Sequence, residues 1–167
     1  WSLARTPDGR VLVGNASDTL YVLQQNTTQT RLDKTIIAAT NWLLVDSNTD
    51  TSNHIDLAMR LIGLGSAKKY YADTAMVTTL QIKMEQIGTL LRSRQRSDGG
   101  WGWQNGNTSD SMVTAQVGVA LDYLNPSPND PVVQNAIKLL LKRQLADGSW
   151  ISENGVLSTH LAATTWV

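Results

Sequence analysis

The side chains that could carry chemistry in this chain are few. The sequence has two histidines, His54 and His160, and no cysteine. His54 precedes Asp56 and His160 follows Ser158, and such pairs can orient a ligand or simply cap a helix end in solvent. The absence of cysteine excludes thiol nucleophiles, disulfides and Cys-ligated zinc. We therefore predict no catalytic residue, no bound metal and no cofactor in this segment.

Tryptophan offers a second kind of chemistry, because its ring gives a sugar or a lipid a flat apolar face with one N–H donor. Trp101 and Trp103 lie between glycines in the segment from Gly100 to Gly106. Trp101 belongs to a repeated motif and is explained by packing. Trp103 has no counterpart in the second copy of that motif, so it is the better candidate for contacting a ligand.

The motif is seven residues long and occurs twice, at residues 95–101 and again 49 residues later at 144–150. A repeat period of roughly 20–50 residues is typical of stacked supersecondary units, each of which needs its neighbours to bury a core. The matched residues are Gln95, Asp98, Gly99 and Trp101 in the first copy and Gln144, Asp147, Gly148 and Trp150 in the second.

The elements around the motif follow from apolar spacing. An apolar residue recurs every three or four positions from Val77 to Leu91, which predicts an amphipathic outer helix over residues 74–95. Asp98 and Gly99 favour a tight turn that folds Trp101 back onto the helix end. The nearly continuous apolar stretch after Ser109 predicts an inner helix that is buried on most sides.

The same pattern extends towards the N-terminus. Residues 35–45 are a candidate outer helix, and residues 52–64 a candidate inner one. For residues 1–29 we favour a degenerate repeat with a helix at 17–23, while the alternative is a β-hairpin of residues 11–14 and 19–23. Residues 30–167 would form one repeat domain. An inner helix opening near Ser158 stops after two turns, so we expect the domain to be truncated at its C-terminus.

Composition restricts the functional class only slightly. The chain has 167 residues, a hydrophobic content of 41% and a formal net charge of zero, so it can bury one core and carries no basic footprint for nucleic acid. Its apolar runs are far shorter than the roughly 20 residues that a membrane span needs. The sequence leaves the redox compartment open, with a periplasmic or extracellular location slightly favoured.

The motif resembles the QW-type repeats of the terpenoid cyclase and protein prenyltransferase superfamily, strictly over residues 90–150 and loosely over 30–167. The resemblance implies an all-α fold in which helical hairpins stack into an α/α-toroid, with the motif's glutamine and tryptophan tying one hairpin to the next. Three outer and at most four inner helices would make an incomplete ring. Such a ring is open, completed by further sequence, or closed by a partner.

The resemblance also names the chemistry to look for. The Asp-x-Asp-Asp acid of the cyclases has no match, since the nearest string, from Asp46 to Asp50, lacks the spacing. The Asp-x-Cys zinc ligands of the prenyltransferases correspond to Asp110 and Met112, and a methionine is a poor ligand for zinc. The reactive thioester of complement-type domains needs a cysteine. The family's three chemistries are therefore missing from these residues.

We accordingly expect a non-catalytic scaffold, or a module that binds an apolar ligand or a protein partner. The alternatives are part of a triterpene cyclase whose acid motif lies elsewhere, and a thioester-less macroglobulin-type domain. The partner would be another protein or the rest of the same polypeptide, because an incomplete ring exposes apolar surface. Candidate ligand-binding residues are Trp103, Met112, Asp110, His54 and His160; the predicted apolar concavity is lined by Met112, Val113, Val119, Leu57 and Leu61.

Overall fold

A computed structural model describes residues 2–5, 11–14, 20–23, 27–124 and 126–151. The chain divides into two compact units, Trp1–Asn41 and Trp42–Val167. The division falls within the first helix, α1 (Thr27–Leu44).

The N-terminal unit contains three short strands, β1 (Ser2–Arg5), β2 (Val11–Gly14) and β3 (Leu20–Leu23). They form an antiparallel sheet in the order β1-β2-β3, in which Val11 pairs with Leu23. The favoured helix is therefore wrong for residues 20–23, and the hairpin alternative describes residues 11–14 and 20–23. Leucine, valine and tyrosine in β3 suit a pleated surface, and a segment this short carries too few turns to display a helical period.

The second unit is helical, and the predicted all-α fold is confirmed for it. After a 3-10 turn at Asp46–Asn48 come α2 (His54–Tyr70), α3 (Thr74–Ser93), α4 (Ser111–Asp122) and α5 (Pro131–Arg143). Helix α2 packs against α3 and α4, and α4 packs against α5. We call α2 and α4 the inner helices, and α3 and α5 the outer helices.

The cap of α4 lies in the predicted pair of residues 109 and 110, since Asp110 caps this helix; α2 is capped by Asn53, one residue after the predicted start at residue 52. Each cap side chain accepts hydrogen bonds from the amides of the second and third residues of its helix, which is the arrangement that stabilises an N-terminus. An amide or carboxylate oxygen does this at least as well as a hydroxyl.

The core lies between the inner helices and α3. The predicted stripe of α3 is buried over Leu80, Met84, Ile87 and Leu91. Helix α4 is buried on most sides, as its composition predicted, except that Val119 is 43% exposed. The largest fully buried apolar side chains are Trp101, Leu57, Leu61, Leu64, Leu80, Met84, Leu91, Leu121, Val113 and Val117.

The two motif turns have the same backbone geometry. Gly99 and Gly148 adopt positive φ angles of 93° and 85°, where only glycine is unstrained. The side chain of Gln95 donates from Nε2 to the Gly99 carbonyl at 2.9 Å, and that of Gln144 donates to the Gly148 carbonyl at 3.0 Å. The sequence repeat is therefore also a repeat in structure.

The motif tryptophans are anchored in the same way. The indole Nε1 of Trp101 donates to the Leu91 carbonyl at 2.8 Å, and that of Trp150 donates to the Leu140 carbonyl at 2.7 Å. Trp101 is fully buried, and Trp150 is 8% exposed. Each tryptophan folds back over the C-terminal turn of its own outer helix, as the motif predicted.

The first turn is also joined to the next outer helix. Besides its bond within the turn, Gln95 Nε2 donates to the Val132 carbonyl at 2.7 Å, in the first turn of α5. Alongside it, Arg92 forms an ion pair of 2.7 Å with Asp130, the N-cap residue of α5. Burial raises the pKa of Asp130, but the hydrogen bond and charge of Arg92 outweigh it and leave that pKa lowered.

Replacing Trp101 with alanine should lower the free energy of unfolding by about 3–5 kcal/mol, because the change empties a fully buried site and removes one of the two donors to the Leu91 carbonyl. Trp150→Ala should cost at least about 1 kcal/mol. The control Trp42→Ala, at a side chain 56% exposed, should cost no more than about 1 kcal/mol. Urea unfolding of the three variants measures this, and equal losses at Trp101 and Trp42 would contradict a structural role.

Gly99 and Gly106 share a φ of 93° but differ in their surroundings. A Cβ at Gly99 would lie 2.5 Å from the Asn135 carbonyl oxygen, whereas one at Gly106 meets none of the described residues within 4 Å. Gly106→Ala should therefore cost about 1–2 kcal/mol of left-handed strain alone. Gly99→Ala should cost about 1–3 kcal/mol more, from the clash. Equal melting temperatures for the two variants would show that the approach of Asn135 imposes no constraint.

Candidate functional site

Four of the five candidate ligand-binding residues lie around the N-termini of the inner helices. His54 begins α2, Asp110 caps α4, Met112 lies in the first turn of α4, and Trp103 is in the loop between α3 and α4. The fifth candidate, His160, lies outside the described residues. We call this group of four the inner-helix mouth.

A short backbone pairing brings the α3–α4 loop to the start of α2. The His54 amide donates to the Trp103 carbonyl at 2.9 Å, and the Asn105 amide donates to the Ser52 carbonyl at 3.3 Å. The His54 side chain adds a third link, with Nδ1 lying 2.6 Å from the Gly102 carbonyl oxygen. His54 therefore anchors the loop to the helix.

This anchoring determines the protonation of His54. Since a carbonyl only accepts, Nδ1 carries the proton and Nε2 is left as an acceptor; Nε2 is buried with no partner among the described residues. Burial, with the side chain 2% exposed, is the main reason the pKa of His54 is lowered; the Gly102 carbonyl raises it and the charge of Arg94 lowers it further. The imidazole is neutral near pH 7.

Trp103 and Met112 pack together instead of lining an open surface. Met112 is 4% exposed and forms a small apolar cluster with Trp150, to which Trp103 and Leu140 are added at the edge. Trp103 also contacts the main core. Its indole Nε1 is buried and has no hydrogen-bond partner in the described part of the chain. The cluster joins the second motif turn to the inner-helix mouth.

Asp110 is fully buried, and its carboxylate serves the backbone. Oδ1 accepts from the amides of Met112 and Val113 at 2.9 and 3.1 Å. The Asp110 amide itself donates to the Trp101 carbonyl at 2.9 Å. Asp110 thus fixes the start of α4 against the first motif turn.

The predicted apolar concavity is wrong for the described residues. Leu57, Leu61 and Val113 are at most 1% exposed and Met112 is 4% exposed, so these side chains fill the core. The reason is that α2, α3 and α4 pack closely enough for the apolar faces to cover one another. Only Val119 of the predicted set is exposed, and it lines a cleft between α4 and α5.

The acidic string that was compared with the cyclase acid is engaged in ion pairs and a turn. Asp46 pairs with Lys83 and, at 3.0 Å, with Arg60, and these two hydrogen-bonded cations lower its pKa. Asp50 Oδ1 accepts from the Ser52 hydroxyl and amide at 2.7 and 2.8 Å, which lowers the pKa of Asp50. A general acid needs a raised pKa, so both carboxylates are tuned in the opposite direction.

Asp98, in the first motif turn, contacts both the start of α4 and the end of α5. Its Oδ1 accepts from the Ser109 hydroxyl at 2.7 Å and from the Gly100 amide at 3.1 Å, and its Oδ2 lies 3.7 Å from Arg143. Burial raises the pKa of Asp98, but these hydrogen bonds and the nearby arginine charges outweigh it and lower the pKa. Arg143 also donates to the Ser109 carbonyl at 2.9 Å, which holds the end of α5 against the start of α4.

Two features of the inner helices were not predicted from the sequence. Met59 of α2 is 45% exposed, and the buried Oε1 of Gln116 on α4 has no hydrogen-bond partner among the described residues. The Gln116 Nε2 lies 4.0 Å from the Met59 sulfur. The sequence signal that could have indicated this pair is a glutamine inside an otherwise apolar inner helix, one turn after Met112. A polar side chain is costly to bury there, so its presence calls for an explanation.

The second unit is an all-α fold whose two motif turns are each held by a tryptophan and a glutamine. No protein-family model matches this sequence, and the search of curated proteins gives no match. Among the described residues, no helix is long and apolar enough to cross a membrane, and no group of acidic residues and histidines could hold a metal ion.

The lowered pKa of His54 predicts a pH-dependent stability. As the pH falls, His54 in the unfolded chain takes up a proton near the ordinary histidine pKa of about 6.5, whereas His54 in the folded chain does so only at a lower pH. The stability that neutral His54 contributes to the folded chain is therefore present above about pH 6.5, and it is lost as the pH falls towards the pKa of His54 in the folded chain. His54→Asn keeps an N–H donor near the Nδ1 position and should flatten the loss of unfolding free energy between about pH 7.5 and 5.5, a range above the carboxylate pKa values.

The matched control for this measurement is His160→Asn, which removes the other histidine of the chain. The control should keep the pH dependence of the parent chain. If His54→Asn and the parent lose the same free energy over this range, His54 does not carry the effect.

Proposed function

We propose that this chain is part of an α/α-toroid and acts as a non-catalytic scaffold or binding module. An apolar ligand or a protein partner would lie against the inner helices. The observation that carries the proposal is the structural identity of the two motif turns, with the same glutamine and tryptophan hydrogen bonds recurring 49 residues apart. Such repetition is typical of stacked units that together present one surface.

The bonds of Gln95 support the toroid assignment. Its Nε2 reaches both its own turn and the first turn of α5, so one side chain joins two successive outer helices. This is the role that the resemblance to QW-type repeats implies for the glutamine. The packing of α2 beside α4, with α3 and α5 as their respective partners, also suits a stack of hairpins.

A scaffold role is supported by what the polar residues of the second unit do. Asp46 and Asp50 have lowered pKa values, Asp110 caps α4 from a fully buried position, and His54 ties a loop to α2. Each of these groups is occupied with holding backbone or a neighbouring charge. A catalytic acid or base needs a proton-transfer pKa near the working pH and access to substrate.

The exposed part of the inner helices suits an apolar ligand. Met59 of α2, which is 45% exposed, presents a flexible thioether that adapts to different apolar shapes. Gln116 of α4 lies beside it, with Nε2 4.0 Å from the Met59 sulfur, but its Oε1 is buried. A ligand on this surface would therefore contact Met59 and leave the Gln116 oxygen covered.

The proposal is tested with the dye 1-anilinonaphthalene-8-sulfonate as an apolar probe. Met59→Glu should weaken dye binding about fivefold or more, because it removes an apolar contact and places on the proposed surface a negative charge that repels the sulfonate of the dye. Ile82→Glu is the matched control, since Ile82 is 53% exposed but lies on the outer helix α3. Fluorescence titration of the folded variants gives both dissociation constants; equal weakening, or no saturable binding by the parent chain, would contradict an inner-helix binding surface.

A further inference from the structure

The loop that links α3 to α4 contains the dipeptide Asn105-Gly106, and both residues are exposed. An asparagine that precedes a glycine is the most prone to spontaneous loss of ammonia, because glycine has no side chain to hinder attack on the asparagine amide. A second such pair, at residues 154–155, lies outside the described part of the chain. Asn105 is therefore the one described asparagine with this neighbour.

The two groups that would react are not engaged with the described residues. Within the described ranges, neither the side-chain amide of Asn105 nor the backbone N–H of Gly106 has a hydrogen-bond partner. Gly106 accepts at its carbonyl from Arg96 at 3.5 Å. A Cβ at Gly106 would meet none of the described residues within 4 Å. The Gly106 nitrogen and the Asn105 amide are therefore free of bonds, among these residues, that would hold them apart.

The two nearest asparagines differ from Asn105 in both respects. Asn107 accepts at Oδ1 from the Gln104 amide at 2.8 Å. Asn53 accepts at Oδ1 from the amides of the second and third residues of α2, as the cap of this helix. Each is followed by a residue with a side chain, a threonine after Asn107 and a histidine after Asn53. Their amides are held in hydrogen bonds, and their neighbours hinder attack.

We propose that Asn105 is a site of spontaneous deamidation, with water as the co-reactant. The Gly106 nitrogen forms a bond to Cγ of Asn105, the Cγ–Nδ2 bond breaks, and Nδ2 leaves as ammonia with the proton of the Gly106 nitrogen. Water then opens the cyclic succinimide. Hydrolysis at Cγ gives aspartate in the original main chain. Hydrolysis at the backbone carbonyl carbon of residue 105 gives isoaspartate, whose main chain runs through Cβ and Cγ.

The isoaspartate product changes the loop at the point where it meets α2. The Asn107 amide donates to the Gln104 carbonyl at 3.0 Å, so these two residues close a turn around Asn105 and Gly106. Isoaspartate inserts one methylene carbon into the main chain inside this turn, which moves the donor away from its acceptor. Gln104 also pairs with Asn53 at the start of α2. Opening the turn therefore weakens the hold of the loop on the inner-helix mouth.

The test uses the full chain with Asn154→Gln, which leaves Asn105-Gly106 as its one Asn-Gly pair. This chain and a synthetic peptide of residues 102–108 are incubated at neutral pH, and mass spectrometry of digests follows the gain of about 1 Da at Asn105. We expect the folded chain to convert at a rate within about tenfold of the peptide's rate, because an exposed turn opens at little cost in free energy. Asn53 and Asn107 of the folded chain should stay unmodified over the same period.

A second measurement tests the effect on the loop. Chromatography separates the isoaspartate form from the parent chain and from the aspartate form. Asn105→Asp is the matched control, since it carries the same new charge in an unaltered main chain. We expect the Asn107 amide of the isoaspartate form to exchange its hydrogen for deuterium about tenfold or more faster than the Asn107 amide of Asn105→Asp.

Two results would overturn the proposal. Conversion of Asn105 in the folded chain more than about a hundredfold slower than in the peptide would show that the fold protects this amide. Equal exchange of the Asn107 amide in the isoaspartate form and in Asn105→Asp would show that the turn tolerates the longer main chain. Both results are independent of the dye titration, which reports on Met59 of α2 and does not involve this loop.

Discussion

The hydrogen bond from the Trp101 indole to the Leu91 carbonyl is the interaction on which the helical unit depends. The last four carbonyls of a helix have no partner within it, and burying one without a donor is costly. The Leu91 carbonyl accepts from the Arg94 amide at 3.1 Å, and Trp101 adds a second donor from inside the core and covers the same helix end with its ring. The tight turn at Gly99 is what brings the ring back over α3. The tryptophan therefore ends α3, closes the core and sets the position from which α4 starts.

The next contacts build on that position. Asp110 donates its amide to the Trp101 carbonyl and caps α4, so the inner helix is placed relative to the turn. The loop between them pairs with the start of α2, where His54 fastens the Gly102 carbonyl. A chain of backbone hydrogen bonds thus runs from the end of an outer helix to the starts of both inner helices. The candidate ligand residues take part in these hydrogen bonds, which is why they are buried.

Much of the helical unit could be predicted from local patterns. The stripe from Leu80 to Leu91 and the Asp-Gly turn are encoded within a few residues, and the structure has both where they were predicted. The role of His54 could not be predicted, because its partner, Gly102, is 48 residues away. The prediction of an apolar concavity was wrong for a related reason. An apolar helix face indicates that the face is covered, but it does not show whether a ligand or another helix covers it. A helix was wrongly favoured where β3 lies, because a four-residue segment is too short to distinguish an apolar period of two residues from one of 3.6.

Two kinds of contact join the first motif turn to α5. Gln95 donates to the Val132 carbonyl through an uncharged amide, whereas Arg92–Asp130 and Arg143–Asp98 are charge pairs in partly exposed positions. Dissolved salt screens exposed charges over roughly 10 Å and leaves neutral hydrogen bonds nearly unaffected. Ionic strength therefore weakens the two charge pairs and leaves the Gln95 hydrogen bond to hold the turn against α5.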